Sequence, residues 1–178
     1  MAIISVFGSA NPTPDSADYA AAKEVGSLLA QAGFTVQTGG YAGVMAGASQ
    51  GANEAGGHVI GITCTQIEAF RPVPPNQWVL EEIKYPTLRE RLFHVIEQCQ
   101  GAIVMPGGIG TLGELALMWN LVQTGEISPR PVVAVGSLWA QTLDTFNDPT
   151  YIRAEHGALI KQATTPTEAV HYIVNTLR

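Results

Sequence analysis

The feature that most constrains the fold of this chain is a regular alternation between short apolar runs rich in β-branched residues and longer stretches of helical periodicity. Runs of about four to eight such residues favour buried strands, whereas apolar residues repeating every three to four positions favour helices. The pattern predicts strands over residues 3–7, 34–37, 58–62, 77–83, 102–105 and 131–135, and helices over about 15–32, after the glycine loop at 39–43, over 88–99, over 111–123 and at the end of the chain.

Strands that alternate with helices are joined by crossover connections, so neighbouring strands must run parallel. The order therefore predicts a Rossmann-like α/β fold, a doubly wound parallel sheet covered by helices on both faces. The 178 residues suffice for one domain with a substantial core. No internal repeat or linker interrupts the pattern, so we expect a single domain over residues 1–178.

Composition excludes two classes of protein. Hydrophobic residues make up 46% of the chain and charged residues 13%, a balance typical of a compact globular protein and not of a disordered one. The net charge is −6 and the lysines, Lys23, Lys84 and Lys161, are scattered. Nucleic-acid binding needs clustered cations, so we expect no nucleic-acid partner.

The cysteines and the apolar segments predict a cytoplasmic protein without a metal, a cofactor or a membrane partner. Cys64 and Cys99 lie far apart and match no zinc-binding spacing, so buried free thiols are the better interpretation. The apolar run at 3–7 is too short for a signal sequence. No segment approaches the ~20 apolar residues of a membrane span.

Ligands of an open parallel sheet bind beyond the carboxyl ends of its strands, and three of the predicted strand-to-helix loops are rich in glycine. The first loop, residues 7–12, offers the hydroxyl of Ser9 to a ligand, although a local role for Ser9 in a tight turn explains it equally well. The second, residues 38–43, places Gly39, Gly40 and Gly43 at the mouth of a helix, where free N–H groups favour an anion.

The third loop, residues 105–111, gives the strongest indication of a ligand. It leaves an apolar strand and enters a helix at once, so the backbone N–H groups of Gly107, Gly108 and Gly110, with the hydroxyl of Thr111, can face phosphate oxygens. The spacing also matches the dinucleotide fingerprint G-x-G-x-x-G, but too late in the chain for that motif. We therefore predict a phosphate-binding loop at 107–111.

Glu114 is the only charged residue between positions 101 and 125. The helix around it is apolar nearly all round, which predicts burial on most sides, including a subunit interface. A carboxylate in such surroundings needs a partner or a chemical task. We expect Glu114 to face the sugar of a bound ligand, with capping of its own helix as the structural alternative.

Two arginines on the preceding helix are candidate partners for a phosphate or for Glu114. Arg89 and Arg91 lie on the two flanks of the predicted apolar face. Periodicity does not choose between them, and a solvated flank with ordinary surface ion pairs is the alternative for both.

The segment at 63–76 breaks the periodicity and contains the run Arg-Pro-Val-Pro-Pro at 71–75. It is long for a connection within a compact domain. The sequence leaves two interpretations open, a lid over a ligand site and a surface excursion fixed by its prolines.

The segment Pro-Gly-Gly-Ile-Gly-Thr-Leu-Gly-Glu at 106–114 resembles the signature Pro-Gly-Gly-x-Gly-Thr-x-x-Glu of the Lonely Guy (LOG) family. The family also carries an Arg followed by Lys upstream of this motif. Counting back places the Arg at Arg91, while Leu92 stands where the family has Lys. Residues 39–45, the pair at 56–57 and the opening Val-Phe-Gly-Ser at 6–9 are similar to the family as well, so the resemblance covers most of the chain.

The resemblance implies an N-glycosidic hydrolase. Members of the family cleave cytokinin riboside 5′-monophosphates or AMP into the free base and ribose 5-phosphate. It implies that Gly107, Gly108, Gly110 and Thr111 hold the 5′-phosphate and that Arg91 binds and orients the nucleotide. Glu114 would then stabilise the oxocarbenium-like sugar or activate water.

Two other functions compete with this one. The family was long labelled as lysine decarboxylases, but pyridoxal phosphate needs a Schiff-base lysine, and none of the lysines adjoins a glycine-rich loop. A non-catalytic carrier or sensor of a nucleotide or of the molybdenum cofactor is the serious alternative, because its glycine loops would look the same. For either function we expect a homodimer or larger homo-oligomer, because the helix at 111–123 carries more apolar surface than one sheet face covers.

Overall fold

A single parallel sheet of seven strands runs through the computed structural model, which describes residues 1–178. The strands are β1 (Ile3–Phe7), β2 (Thr35–Thr38), β3 (Val59–Cys64), β4 (Glu81–Tyr85), β5 (Gly101–Val104), β6 (Val132–Val135) and β7 (Ile160–Ala163). The helices are α1 (Ala17–Gln31), α2 (Val44–Glu54), α3 (Thr65–Phe70), α4 (Leu88–Glu97), α5 (Ile109–Thr124), α6 (Ser137–Phe146), α7 (Ala154–Gly157) and α8 (Pro166–Leu177).

The strand order is β4-β3-β2-β1-β5-β6-β7. The chain builds the sheet outward from β1 to β4, then returns to the other side of β1 with β5. This reversal between β1 and β5 is the topological switch point at which doubly wound folds bind ligands. The predicted Rossmann-like class is therefore confirmed.

Helices cover both faces of the sheet, and the alternation of side chains along β1 shows how. Ile4 and Val6 belong to one core, which α1, α2 and α8 complete, while Phe7 belongs to a second core with α4, α5 and α6. Ser5 also lies on the second face, where its hydroxyl donates to the carbonyl of Val95 in α4 at 2.7 Å. None of the helices combines the length and apolar character that a membrane span requires.

The glycines of α2 are explained by its close contact with α1. A Cβ atom at Gly51 would overlap the carbonyl oxygen of Lys23, and one at Gly47 would lie 2.8 Å from the carbonyl oxygen of Tyr19. Both contacts are with the backbone of α1, so the small residues of α2 allow the two helices to approach closely on one face of the sheet.

The structure corrects the predicted elements in three places. The end of the chain is not only helical, because β7 adds an edge strand between α7 and α8. The segment at 63–76 is not without regular structure, since β3 extends to Cys64 and α3 follows it. The strand expected at 77–83 begins only at Glu81. In each case a short element with few apolar residues gives little periodic signal, and pairing with a neighbouring strand or turn decides the conformation.

Candidate functional site

The loops that follow β1, β2 and β5 meet at the carboxyl edge of the sheet, because these three strands are neighbours. The backbone N–H of Ser9, after β1, donates to the carbonyl of Pro106, after β5, at 3.1 Å. The carbonyl of Ser9 in turn accepts from the N–H of Val44, the first residue of α2, at 2.8 Å. The three glycine-rich loops identified in the sequence thus form one continuous surface.

The third loop leaves the beginning of α5 open. Gly108 is the N-cap of α5 and provides no side-chain hydrogen bond to the first turn. Residues 108–110 are exposed, and a Cβ atom added at Gly108 or Gly110 would have no protein atom within 4 Å. Neither glycine has a positive φ. Packing within the chain therefore does not require glycine at these positions, whereas the approach of an external group to the backbone does.

Gly107 and Thr111 form the floor of this loop. A Cβ atom at Gly107 would overlap the Thr111 hydroxyl, and it would lie 3.0 Å from the backbone nitrogen of Ser9. Thr111 is buried in the first turn of α5. Its hydroxyl therefore lies directly against the loop backbone, on the side that adjoins the first loop.

The glycines of the second loop contact the protein's own atoms. A Cβ atom at Gly39 would overlap the guanidinium of Arg91, and one at Gly43, where φ is +66°, would overlap the backbone of the first loop. The carbonyl of Gly40 accepts from both the backbone and the side chain of Asn76, at 2.8 and 3.0 Å. The predicted anion at the mouth of α2 would therefore have to share that region with groups that are already paired, including the N–H of Val44.

Ser9 has a local partner and also borders an open cleft. Its hydroxyl accepts from the backbone N–H of Asn11 at 3.1 Å, as expected of a tight turn. The cleft has a volume of about 500 Å³ and an entirely polar or small-residue lining; its walls are Ser9, Asn11, Pro12, Thr13, Ser16, Asp18, Pro106 and Gly107. A polar ligand held at the third loop has room to extend along this cleft.

The structure selects Arg91, and not Arg89, as the arginine beside Glu114. Nη1 of Arg91 lies 3.9 Å from Oε1 of Glu114, and only 7% and 13% of the two side chains are exposed. Arg89 is exposed and has no contact with the carboxylate. The arginine that the LOG resemblance identified is thus the one beside Glu114. Leu92, at the family's Lys position, packs partly buried against the second core.

Burial dominates the electrostatics of Glu114. It raises the pKa of the carboxyl from its usual 4.5 to about 7, although the charge of Arg91 pulls that pKa downward. Glu114 therefore exchanges its proton close to neutral pH. A carboxyl with a pKa near the working pH is suited to general acid–base chemistry or to stabilising a developing positive charge.

Glu114 and an apolar cleft between α5 and α6 lie on different flanks of α5. At about 100° per residue, Glu114 projects towards α4, whereas Leu112, Ala116 and Trp119 project towards α6. A cleft of about 540 Å³ occupies the α6 side, and Glu114 does not line it. A phosphorylated ligand at the third loop would meet Glu114 only by extending along the α4 side of the helix.

The structure places two further residues near the site, Tyr41 and Asn76, that the sequence had not indicated. Tyr41 is a buried aromatic residue inside the second glycine-rich loop, and its ring lies 5.8 Å from the guanidinium carbon of Arg91. Asn76 ends the proline-rich segment and binds the carbonyls of Gly40 and Tyr41. A large aromatic residue among glycines, and an Asn closing a proline run, are the features that could have indicated them.

Comparison with known proteins gives one family and two kinds of relative. A model of LDcluster4, the SLOG cluster4 family, matches residues 1–124. The chain is 31% identical over 133 residues to a cytokinin riboside 5′-monophosphate phosphoribohydrolase of Mycobacterium tuberculosis, covering 74% of this chain and 69% of that protein. It is 32% identical over 114 residues to a pyrimidine/purine nucleotide 5′-monophosphate nucleosidase of Escherichia coli, covering 59% of this chain and 24% of that protein.

The similar solved structures include proteins named for binding or carrying a cofactor. A molybdenum cofactor binding protein from the phototrophic bacterium Rippkaea orientalis superposes with a TM-score of 0.78 at 27% identity, covering 99% of this chain and 98% of that one. A molybdenum cofactor carrier protein from Chlamydomonas reinhardtii gives a TM-score of 0.74 at 26% identity, with the same two coverages. The chain is therefore similar in sequence to proteins named as hydrolases and similar in fold to proteins named for binding or carrying the molybdenum cofactor.

Proposed function

The chain belongs to the SLOG cluster4 family, and from this premise we propose that it hydrolyses the N-glycosidic bond of a nucleoside 5′-monophosphate. The products would be a free base and ribose 5-phosphate. The LOG resemblance of residues 106–114 is confirmed by the family match, and relatives named as phosphoribohydrolase and nucleosidase support a glycosidase-type enzyme. The observation that carries the proposal is the buried carboxylate of Glu114, one turn beyond an open helix N-terminus and beside Arg91.

The 5′-phosphate would bind at the beginning of α5. Its oxygens would accept from the free N–H groups of residues 108–110 and from the Thr111 hydroxyl, and the positive end of the helix dipole would favour its charge. Gly108 and Gly110 leave the backbone accessible to it. This assignment explains why glycine stands at two positions where the chain's own packing does not require it.

Glu114 would act on the sugar. It lies three residues after Thr111, about 4.5 Å further along the helix axis, and side chains on a helix lean back towards its N-terminus. Its ionised carboxylate would stabilise the positive charge that develops at C1′ as the bond to the base breaks, or would accept a proton from the attacking water. Water supplies the new C1′–O bond, and the base leaves with the bonding electron pair and takes up a proton.

A carrier of the molybdenum cofactor is the second candidate. A molybdenum cofactor binding protein and a molybdenum cofactor carrier protein align with this chain over nearly their whole length, and the polar cleft beside Ser9 extends from the same loop. A carrier would use the loop to hold a phosphorylated ligand intact. The two functions therefore differ in what becomes of the ligand and not in where its phosphate binds.

The decisive experiment incubates the purified protein with a panel of nucleoside 5′-monophosphates, including AMP and a cytokinin riboside monophosphate, and measures free base by chromatography. Glu114→Gln should bind phosphate normally but lose about 100- to 1,000-fold in turnover, since one well-placed electrostatic group contributes about 3–4 kcal/mol to the transition state. Glu126→Gln, which removes an exposed charge just after α5, is the matched control. No base from the parent with any nucleotide would favour the carrier, and an unchanged rate in Glu114→Gln would exclude the mechanism.

We also propose that the protein is a homo-oligomer that pairs through α5. Leu115 and Met118 are buried within the chain, so they no longer support the argument from apolar surface. Gly113 and Ala116 are nevertheless exposed on the outer face of α5, and Phe93 of the neighbouring helix α4 is 37% exposed. An exposed interior glycine costs a helix about 1 kcal/mol relative to alanine, which is understandable where another backbone approaches closely.

A further inference from the structure

Arg91 is held inside the protein by backbone groups. Its Nε donates to the carbonyl of Ile62 at 2.7 Å, and its Nη2 donates to the carbonyl of Gly39 at 3.3 Å. Only Nη1 is directed to a carboxylate, and its distance of 3.9 Å from Glu114 is too long for a hydrogen bond. The attraction between Arg91 and Glu114 is therefore electrostatic and involves no hydrogen bond. Its strength depends on where the guanidinium is held.

The aromatic ring of Tyr41 completes the surroundings of the guanidinium. The ring is only 2% exposed, and its centroid lies 5.8 Å from Cζ of Arg91, within the range of a cation–π contact. A buried cation is costly unless other groups replace its water, and the faces of the guanidinium cannot be covered by carbonyls in its plane. The ring supplies a negative face that no carbonyl of Ile62 or Gly39 provides.

Tyr41 is itself fixed at both ends. Its hydroxyl accepts from the backbone N–H of Cys64 at 2.8 Å and can donate to the carbonyl of Cys64 at 3.2 Å or to Glu68 at 3.3 Å. Its own carbonyl accepts from the side chain of Asn76 at 3.0 Å. The ring thus cannot move away from Arg91 without breaking contacts to β3 and to the segment that follows α3.

We propose that Tyr41 is a positioning residue for Glu114: its anchored ring holds the Arg91 guanidinium where that cation stabilises the ionised carboxylate. Tyr41 touches neither Glu114 nor the phosphate loop and acts through Arg91. The consequence for catalysis rests on the proposed function, but the consequence for the ionisation of Glu114 does not. Without the ring, Arg91 gains freedom to move, its attraction for Glu114 weakens, and the carboxylate forms only at higher pH.

The charged groups around this chain of contacts are few. Arg91 from α4 is the charge that acts on Glu114. Glu114 and Tyr41 flank Arg91, while Glu68 of α3 faces the Tyr41 hydroxyl and pairs with Lys84 of β4 at 2.7 Å. Lys84 also lies 3.8 Å from Glu82. Since the pair of Glu68 and Lys84 is near the surface and beyond the ring, Tyr41 is the group that couples directly to Arg91.

The test titrates Glu114 in the parent, in Tyr41→Leu, which removes the ring, and in Tyr41→Phe, which keeps it and removes the hydroxyl. The probe is the carboxyl ¹³C signal of glutamate-labelled protein, with Glu114 assigned by its loss in Glu114→Gln. Tyr85→Phe is the control, because it removes another half-buried tyrosine hydroxyl, bonded to His94, that does not contact Arg91. Thermal unfolding establishes that each variant is folded.

The titration midpoint of Glu114 should rise by about half a pH unit or more in Tyr41→Leu, the size expected of a weakened cation contact. It should rise less in Tyr41→Phe and not at all in Tyr85→Phe. The acid limb of kcat/KM should move to higher pH in the same order, and the lost activity should return at alkaline pH. A residue that only filled space would lower the unfolding temperature and leave the midpoint in place.

An unshifted midpoint in the Tyr41 variants that fold would overturn the proposal, and Tyr41→Phe keeps the test available if Tyr41→Leu does not fold. A shifted midpoint in the Tyr41 variants, together with a parent that releases no base, would support the role of Tyr41 and reject the hydrolase function. Base release by the parent, together with an unshifted midpoint in the Tyr41 variants, would support the hydrolase function and reject the role of Tyr41. The two proposals can therefore fail separately.

Discussion

Replacing Glu114 with glutamine should make the protein more stable while inactivating it. Burial raises the pKa of this carboxyl from 4.5 to about 7, so the folded protein resists the ionisation that the unfolded chain allows. The difference of about 2.5 pH units, at 1.36 kcal/mol per unit, corresponds to about 3 kcal/mol. The attraction of Arg91 is already included, because it contributes to the same pKa.

The direction of the change in stability follows from the number of protons bound by the folded and unfolded states. Between pH 4.5 and about 7 the unfolded chain has released the Glu114 proton and the folded protein has kept it, so the parent loses stability as the pH rises through this window. The loss is complete above pH 7 and absent below pH 4.5. Glutamine has no proton to release. Glu114→Gln should therefore match the parent at pH 4.5 and exceed it by about 3 kcal/mol at pH 8.

The assay is thermal or urea unfolding of parent, Glu114→Gln and the surface control Glu126→Gln across this pH range. For a chain of this size, about 3 kcal/mol corresponds to a rise of roughly 6–12 °C in Tm at pH 8. The control should show no such pH-dependent gain, because its side chain is exposed. A lower Tm for Glu114→Gln at pH 8 would mean that the ion pair with Arg91 stabilises the fold, and the reasoning from burial would be wrong.

The remaining predictions concern the ligand and the assembly. If the carboxylate form is the active one, kcat/KM should rise with pH through a midpoint near 7, the pKa of Glu114; a midpoint near 4.5 would contradict it. Gly110→Asp should weaken phosphate binding more than Gly110→Ala does, because both variants place a Cβ in the open space that the phosphate would occupy and only Asp adds a negative charge; equal binding of nucleoside monophosphates to both variants would refute the phosphate loop. Arg91→Ala should weaken nucleotide binding by roughly 1.5–3 kcal/mol and more than Arg89→Ala, as equilibrium titration would show; the reverse ranking would mean that Arg89 serves the site. Sedimentation at micromolar concentration should give a multiple of 18.8 kDa, and a monomer would exclude the proposed pairing through α5.

The periodicity of the sequence was sufficient to predict the class of fold. The strand predicted at 3–7 coincides with β1, and the helix predicted at 111–123 falls within α5. These elements have a full turn or a full buried run of apolar residues, so their local pattern agrees with their environment. The edge strand β7 is four residues long and has exposed or half-buried residues in its middle, Lys161 and Gln162. Its extended conformation comes from pairing with β6, and the residues of β7 alone do not indicate that pairing.

In the candidate site, too, some features could be predicted from local sequence and others depended on tertiary contacts. Glu114 stood out in the sequence because a lone charge in an apolar helix needs an explanation, and the glycines at 107–110 stood out because they join a strand to a helix. The choice between Arg89 and Arg91 was not available from periodicity, since both flank the apolar face of α4. It depended on the packing of α4 against β3, which carries Arg91 to the carbonyl of Ile62.

The sequence by itself determined the parallel sheet, the three glycine-rich loops and the presence of an isolated carboxylate beside one of them, because these follow from local patterns of residue type. Tertiary structure decided which side of α5 that carboxylate occupies, which arginine faces it, and that Gly39 leaves room for the guanidinium of that arginine. It also brought Tyr41 against Arg91. The physical reason is that a pKa and a through-space attraction depend on burial and distance between residues remote in sequence, and only the packed chain sets those quantities.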